Sequence, residues 1–261
     1  MAVVVSQPDR RRGRGGALVP SPVKAAALEA GIPVTERVDD VVDAGVELGV
    51  VVAFGRLIKP HVLERVPMVN LHFSLLPRWR GAAPVERAIL AGDSETGVCL
   101  MALEAGLDTG PVYRRQRVAI GPEETADELR ARLVEVGTEL LVQGLRTGLG
   151  QPVAQEGEPT YAAKIEPSEL RLEWSRPAHE LHRVVRLGRA WTTFRGRRLR
   201  VLGASPVGTG PAPGTLDGLV VGTGDGRGLA LVEVQPEGKG PLTASAWRHG
   251  ARPEPGERLG E

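Results

Sequence analysis

The sequence predicts a Rossmann-like α/β domain with a mostly parallel sheet over residues 1–153. A linker over 154–172 and a small OB-like β-barrel over 173–261 follow it. Three observations carry this expectation. Short apolar runs alternate with helical patterns through the first half; the polar stretch QEGEPTYAAKIEPSEL interrupts the pattern; and brief β-like runs broken by Gly and Pro occupy the remainder. The chain has 261 residues, 41% of them apolar, enough for two modest domains with real cores.

Val3–Val5 reads as a short buried strand followed by a basic loop. Ser21 caps a helix with Pro22 at its first position, and Gly31 ends it. LGVVVAFG (48–55) is a second buried strand, Pro60 to Arg65 a short helix, and MVNLHFS (68–74) a third strand entering the turn LLPRWRG. Pro84 to Ala91 is helical and stops at Gly92. TGVCLMAL (96–103) and VYRRQRVAI (112–120) are strands separated by EAGLDTGP. Thr125 with Glu128 three residues on forms a capping-box pattern. The helix it opens carries Leu129, Leu133, Val136, Leu140 and Leu141 on one face and ends near Gly148. In the second half Pro177 to Val185 is helical, and TTFRG, RLRVLG, GTLDG, LVVGTGDG and LALVEVQPEG are short strands with their turns.

Composition narrows the function classes. No apolar run approaches the ~20 residues that span a bilayer, and the N-terminus places its apolar run before its charges, the reverse of a secretory signal. The single cysteine, Cys99, permits no internal disulfide and reads as a small buried residue in a strand. Cytoplasm is the expected compartment. GRGG lacks the Lys-Ser/Thr of a phosphate-binding loop, no His/Cys/Asp cluster has ligand spacing, and no flavin or nicotinamide fingerprint is present.

The densest chemical signal is NLHFSLLPRWRGAAP (70–84) followed by GLDTGP (106–111). Asn70 and His72 lie two apart at a strand end, so they project from one face while Leu71 and Phe73 point toward the core. That position lies beyond a strand's carboxyl end, where open α/β sheets bind ligands. Asp108 in its Gly-flanked turn brings a carboxylate. An amide, an imidazole and a carboxylate suit acyl transfer to an amine. The Asn N–H and a protonated His donate to the oxygen that gains charge, and the carboxylate favours the protonated ring and relays the proton. Each residue alone reads equally as ordinary strand-end or turn chemistry, and no spacing rule ties residue 72 to residue 108.

Charge is unevenly placed. The net charge is only +1, yet Arg183, Arg186, Arg189, Arg195, Arg197, Arg198 and Arg200 crowd 181–200 without an acidic residue, interleaved with Trp191 and Phe194. This has the shape of a nucleic-acid footprint, against the alternative of a solvated face over buried aromatics. Arg198 and Arg200 fall on one strand face. Arg10, Arg11, Arg12 and Arg14 lie in a Gly-rich segment that reads equally as a solvated loop with surplus charge or as one suited to following a phosphate backbone.

The run HFSLLPRWRGAAPVERAILAGDSETGVCLMALEAGLDTGPV (72–112) resembles the folate-dependent formyltransferases almost without gaps, and among them the branch that formylates methionyl-tRNA. The resemblance continues at QPDRRRGRGGALVPSPVK, TYAAKI and VQPEGKGPL, and so covers most of the chain. It implies transfer of a formyl group from 10-formyltetrahydrofolate to the methionine amino group on initiator methionyl-tRNA, without a metal, by a monomer. By this likeness Asn70, His72 and Asp108 are catalytic. Ser74, Leu75, Leu76 and Pro77 contact the folate, and AFGRLIKP, with Phe54, Gly55 and Leu57, flanks the pterin pocket. Arg56 and Lys59 depart from the family's wording, and the likeness gives Arg56 no role. Arg10, Arg12 and Arg14, then Arg183, Arg195, Arg197 and Arg198, fall to the tRNA. Family members begin with one more βα unit, about thirty residues in length; the expectation is that its absence leaves neighbouring strands with unpaired backbone groups. Formyltransferases acting on small amines, and an RNA-binding protein without turnover, are the rival readings.

Overall fold

The computed structural model describes residues 1–11 and 16–261. Arg12 and Arg14 lie outside the described residues. Two compact units interleave along the chain. The first comprises 1–80, 98–116 and 137–159; the second comprises 81–97, 117–136 and 160–261.

The first unit opens with β1 (Val4–Val5), the ribbon β2 (Arg10–Arg11) with β3 (Leu18–Val19), α1 (Pro22–Glu29) and β4 (Val34–Thr35). β1 and β4 pair in parallel, and β2 pairs antiparallel with β3. Ser21 is the N-cap of α1, accepting from the Lys24 N–H at 3.0 Å, and Gly31 adopts φ 67° beyond the helix end, as the Pro-first, Gly-last pattern predicts. After α2 (Asp40–Asp43), β5 (Gly49–Val52), α3 (Pro60–Leu63) and β6 (Met68–His72) follow. Val41, Ile58, Val62, Val66 and Met68 form a core here, with Val3, Val5 and Phe54 packed against it.

β7 (Arg80–Gly81) and α4 (Pro84–Ala91) precede β8 (Glu95–Ala102) and β9 (Val112–Ala119). The sheet order is β5-β6-β8-β9. β5 and β6 are parallel, but β6 and β8 are antiparallel, and Ala102 N–H bonding Pro111 O at 2.9 Å closes a hairpin-like return into β9. The sheet is therefore mixed, not mostly parallel. The nine residues between β8 and β9 are too few for a crossover helix, so the chain must double back. β1 and β4 form a sheet of their own, separate from this one. Cys99 is fully buried in β8 beside Leu76, Met101 and Val112, and burial pushes its thiol pKa up. α5 (Ala126–Thr147) begins at the predicted capping box: Thr125 Oγ1 accepts from the Glu128 N–H at 3.3 Å, and Glu128 accepts from the Thr125 N–H at 2.9 Å.

In the second unit, β10 (Tyr161–Ala162) and the turn Pro167–Leu170 lead to α6 (Ala178–Val185). β11 (Trp191–Phe194), β12 (Arg197–Val207), β13 (Leu216–Asp217), β14 (Val220–Gly222), β15 (Gly228–Pro236) and β16 (Leu242–Thr243) make one antiparallel sheet, and α7 (Ala244–Ala251) follows. Its path is β11-β12-β15-β14-β13, with β16 on β15. Leu199, Val201, Val221, Leu229, Val234 and Trp247 are among its core. The expected closed barrel is not present as a ladder among the described residues. The C-terminal segment bonds at both ends of the strand path instead: Gly260 N–H to Thr193 O at 2.9 Å, and Leu216 N–H to Glu257 O at 2.8 Å.

Candidate active site

β6 carries Asn70 and His72 to its carboxyl end, and the neighbouring β8 leads into the loop that holds Asp108. Leu71 and Phe73 face α5: a Cβ on Gly137 would meet Leu71 Cδ1 at 3.5 Å and Phe73 Cε1 at 3.6 Å. The alternation thus sends Asn70 and His72 to the opposite face, as the strand pattern predicts.

His72 is buried, and each ring nitrogen has a neighbour. Nε2 lies 2.8 Å from the carbonyl oxygen of Trp79, and Nδ1 lies 3.5 Å from Oδ2 of Asp108. A carbonyl only accepts, so Nε2 carries a proton. The longer Nδ1 contact exceeds ordinary hydrogen-bond length, which leaves that edge of the ring the more loosely held. Nε2 is thus committed to the fold through the Trp79 carbonyl, and Nδ1 faces the Asp108 carboxylate.

Both neighbours sit on unusual backbone. Trp79 has φ 63° and Asp108 φ 51°, left-handed values that non-glycine residues seldom adopt and that cost on the order of 1–3 kcal/mol each. The Asp108 turn depends on glycines on either side. A Cβ on Gly106 would stand 2.4 Å from Thr109 Oγ1, and one on Gly110 would stand 2.0 Å from the Ala102 carbonyl oxygen. Residues Trp79, Arg80 and Gln155 were not singled out in the sequence. Gln155 Nε2 donates to the carbonyls of Asp108 and Gly110 at 2.8 Å each, and its Oε1 accepts from Arg80 at 3.1 and 2.6 Å. No local pattern signals this bridge, because its partners lie 75, 47 and 45 residues from Gln155.

Of the residues read as folate contacts, Ser74 is buried with Oγ donating to Arg78 O at 2.6 Å, and Leu76 is buried ahead of the cis Leu76–Pro77 bond. Leu75 and Pro77 are half-buried. Phe54 is half-buried, its carbonyl accepting from Gln7 at 2.9 Å; Gly55 has φ 69°, and Leu57 is 82% exposed. Arg56 stacks its guanidinium over the Phe54 ring at 4.7 Å and donates to Glu36 O at 3.0 Å. Among the described residues no group of three or more His, Cys, Asp and Glu gathers with metal-binding geometry.

The arginine stripe separates into two classes. Arg198 lies exposed over the Trp191 ring at 4.5 Å, and Arg197 is exposed, 3.8 Å from Glu237. Arg195 is placed differently. It grips Glu257 at 2.5 and 2.8 Å, stacks on Phe194, and holds the glutamate's pKa below its usual range through these hydrogen bonds. Arg186 is buried, donating to Glu124 O and Gly121 O at 2.8 Å each. Arg183 is half-buried against Gly92, and Arg200 bonds Gln235 and Gly188. Arg10 is exposed in the β2–β3 ribbon. A cavity of about 430 Å³ is lined by Arg195, Arg197, Arg198, Lys239, Phe194 and Trp247, among others.

Residues 1–145 match the model described as "Formyl transferase", and residues 164–252 match "Formyl transferase, C-terminal domain". The chain is 43% identical to a methionyl-tRNA formyltransferase of Symbiobacterium thermophilum, over 98% of this chain and 86% of the relative. It is 45% identical to one of Methylobacterium nodulans, over 95% and 87%. HypX of Aquifex aeolicus, solved in complex with tetrahydrofolic acid, is similar in fold with a TM-score of 0.64 at 19% identity. That match covers 85% of this chain and 43% of the longer HypX chain.

Proposed function

The chain belongs to the formyl transferase family, and from that premise we propose that Asn70, His72 and Asp108 are the groups through which it works. The enzyme transfers a formyl group from 10-formyltetrahydrofolate to the amino group of methionine on initiator methionyl-tRNA, for initiation of translation. The observation that supports the site is the placement of His72 between the Trp79 carbonyl and the Asp108 carboxylate.

The chemistry balances without an oxidant or reductant. The amine nitrogen bonds to the formyl carbon, the bond from that carbon to the carrier nitrogen breaks, and one proton moves from amine to carrier. The carrier supplies the carbon at the oxidation level of formate. With Nε2 held on the Trp79 carbonyl, Nδ1 is the ring nitrogen left for proton exchange, and the Asp108 carboxylate beside it relays the amine proton to the carrier, directly or through water. Asn70, two residues before His72 on the same strand face, donates its amide N–H to the oxygen on which negative charge builds; losing one such donor typically costs on the order of 10² to 10³ in rate. Ser74, Leu75, Leu76 and Pro77, with Phe54, Gly55 and Leu57, form the folate-binding segments in this reading. The exposed Leu57 offers apolar surface suited to a flat ring.

In the same proposal the catalytic domain spans 1–153, the linker 154–172, and the tRNA-binding domain 173–261. The C-terminal segment that bonds at both ends of the strand path supports its description as an OB-like barrel. Arg197 and Arg198 face the polyanion, with Arg10, Arg12 and Arg14 reaching the acceptor end. Arg195 and Arg183 support the fold that presents them. The enzyme acts as a cytoplasmic monomer.

Formylation of charged initiator tRNA, run beside formylation of a free amino sugar and of a small phosphorylated amine, tests the substrate. Turnover on the tRNA alone is expected; turnover confined to a small amine would replace the proposal, and salt-dependent tRNA binding without turnover would reduce the chain to a binding protein.

A further inference from the structure

We propose that Gln155 is a positioning residue for the reaction, clamping the two backbone segments that hold the His72 ring. The inference rests on the assignment of His72 and Asp108 above. Gln155 has both N–H groups and its carbonyl oxygen engaged. The N–H groups hold the carbonyls of Asp108 and Gly110 at 2.8 Å, and the oxygen takes two hydrogen bonds from Arg80 at 3.1 and 2.6 Å. Each end of this bridge bears on a different ring nitrogen. The Asp108 backbone carries the carboxylate 3.5 Å from Nδ1. Arg80 contributes the nitrogen of the peptide whose carbonyl, from Trp79, lies 2.8 Å from Nε2.

Both bridged segments are ones that would otherwise relax. Trp79 and Asp108 have φ 63° and 51°, and strained backbone persists only where surrounding bonds over-determine it. The Gln155 amide supplies that restraint directly at the Asp108 turn, and by holding the Arg80 guanidinium it restrains the Trp79–Arg80 peptide through the Arg80 side chain. Loss of the clamp therefore lets the carboxylate and the carbonyl drift independently, and the ring loses the placement that the two groups give it. Misplacement of a reacting group by about 1 Å costs on the order of 10² in rate. Substrate contacts remote from the ring are unaffected, so the loss falls on kcat.

The test is steady-state formylation by Gln155→Leu and Gln155→Glu, with thermal unfolding as a check, alone and on an Asp108→Asn background, beside His72→Ala. Leucine removes the donors and the acceptor; glutamate keeps the acceptor for Arg80 but sets oxygens against two carbonyls. Both variants are expected to lose about tenfold or more in kcat, with KM for either substrate within about twofold. On the Asp108→Asn background they should lose little further, since neighbours in one network are not additive. Gln155 variants with kcat within about twofold, beside an inactive His72→Ala, would overturn this inference and leave the site reading standing. A loss confined to KM, or one that multiplies fully on the Asp108→Asn background, would also overturn it. Full activity in His72→Ala would remove the site reading and this inference with it. If Gln155→Leu does not fold, Gln155→Glu decides by the same criteria.

Discussion

Nδ1 of His72 stands 3.5 Å from Oδ2 of Asp108, two side chains brought together from residues 36 positions apart in the chain. The side chains are 6% and 13% exposed, so the contact is largely shielded from solvent.

In the proposed mechanism, replacing His72 by Ala removes the ring that exchanges the proton, and replacing Asp108 by Asn removes the carboxylate that relays it. Each is expected to lower turnover by at least ~10² while tRNA affinity changes little. Single-turnover formylation alongside tRNA binding measures both. Unaltered turnover in either variant would remove that residue from the mechanism.

Gly110→Ala should reproduce much of that loss without touching a catalytic side chain. The added methyl would lie 2.0 Å from the Ala102 carbonyl, so the Asp108 turn must move. A fall of about 10² in kcat is expected from the displaced carboxylate; an active Gly110→Ala enzyme would show that the turn tolerates the shift.

The arginines should divide by what they touch. Arg198→Ala or Arg197→Ala is expected to weaken tRNA binding and reduce the salt slope of log Kd by about one each. Arg195→Ala is expected to lower the melting temperature by freeing Glu257 and the C-terminal segment, with a smaller change in the salt slope. Binding isotherms at three salt concentrations and a thermal melt distinguish the two behaviours.

Burial lowers the pKa of His182 in the folded protein, with Glu123, 3.1 Å away, opposing and Arg186 assisting. The unfolded chain, with an ordinary value near 6.5, then binds more protons than the fold as pH drops. Stability from this site is present above that value and is lost as pH falls below it toward the folded pKa. His182→Gln should flatten this acid-side decline in melting temperature, measured from pH 7.5 to about 5; an unchanged slope would assign it to other groups.

Most helix starts and strand faces were legible because they are local. Ser21 with Pro22, Thr125 with Glu128, and the alternation across Asn70 to Phe73 each act within a few residues, and each is found as read. The direction of β8 was not legible. An apolar run buries equally well in either sense, and only its antiparallel ladder with β6, Val69 opposite Ala102 and His72 opposite Cys99, settles it. The arginines likewise read as one stripe from spacing, yet the structure commits Arg186 to two backbone carbonyls and Arg195 to Glu257.

An α/β first domain, a β-rich second one, and the strand face that carries Asn70 and His72 thus resided in the chain's own order. Which nitrogen of His72 is committed to the fold, and that Gln155 reaches both Asp108 and Arg80, arise only when distant segments meet. The physical reason is range. Periodicity and capping are set by neighbours a few bonds away, whereas a hydrogen bond across dozens of residues depends on the whole path of the backbone, which no local pattern encodes.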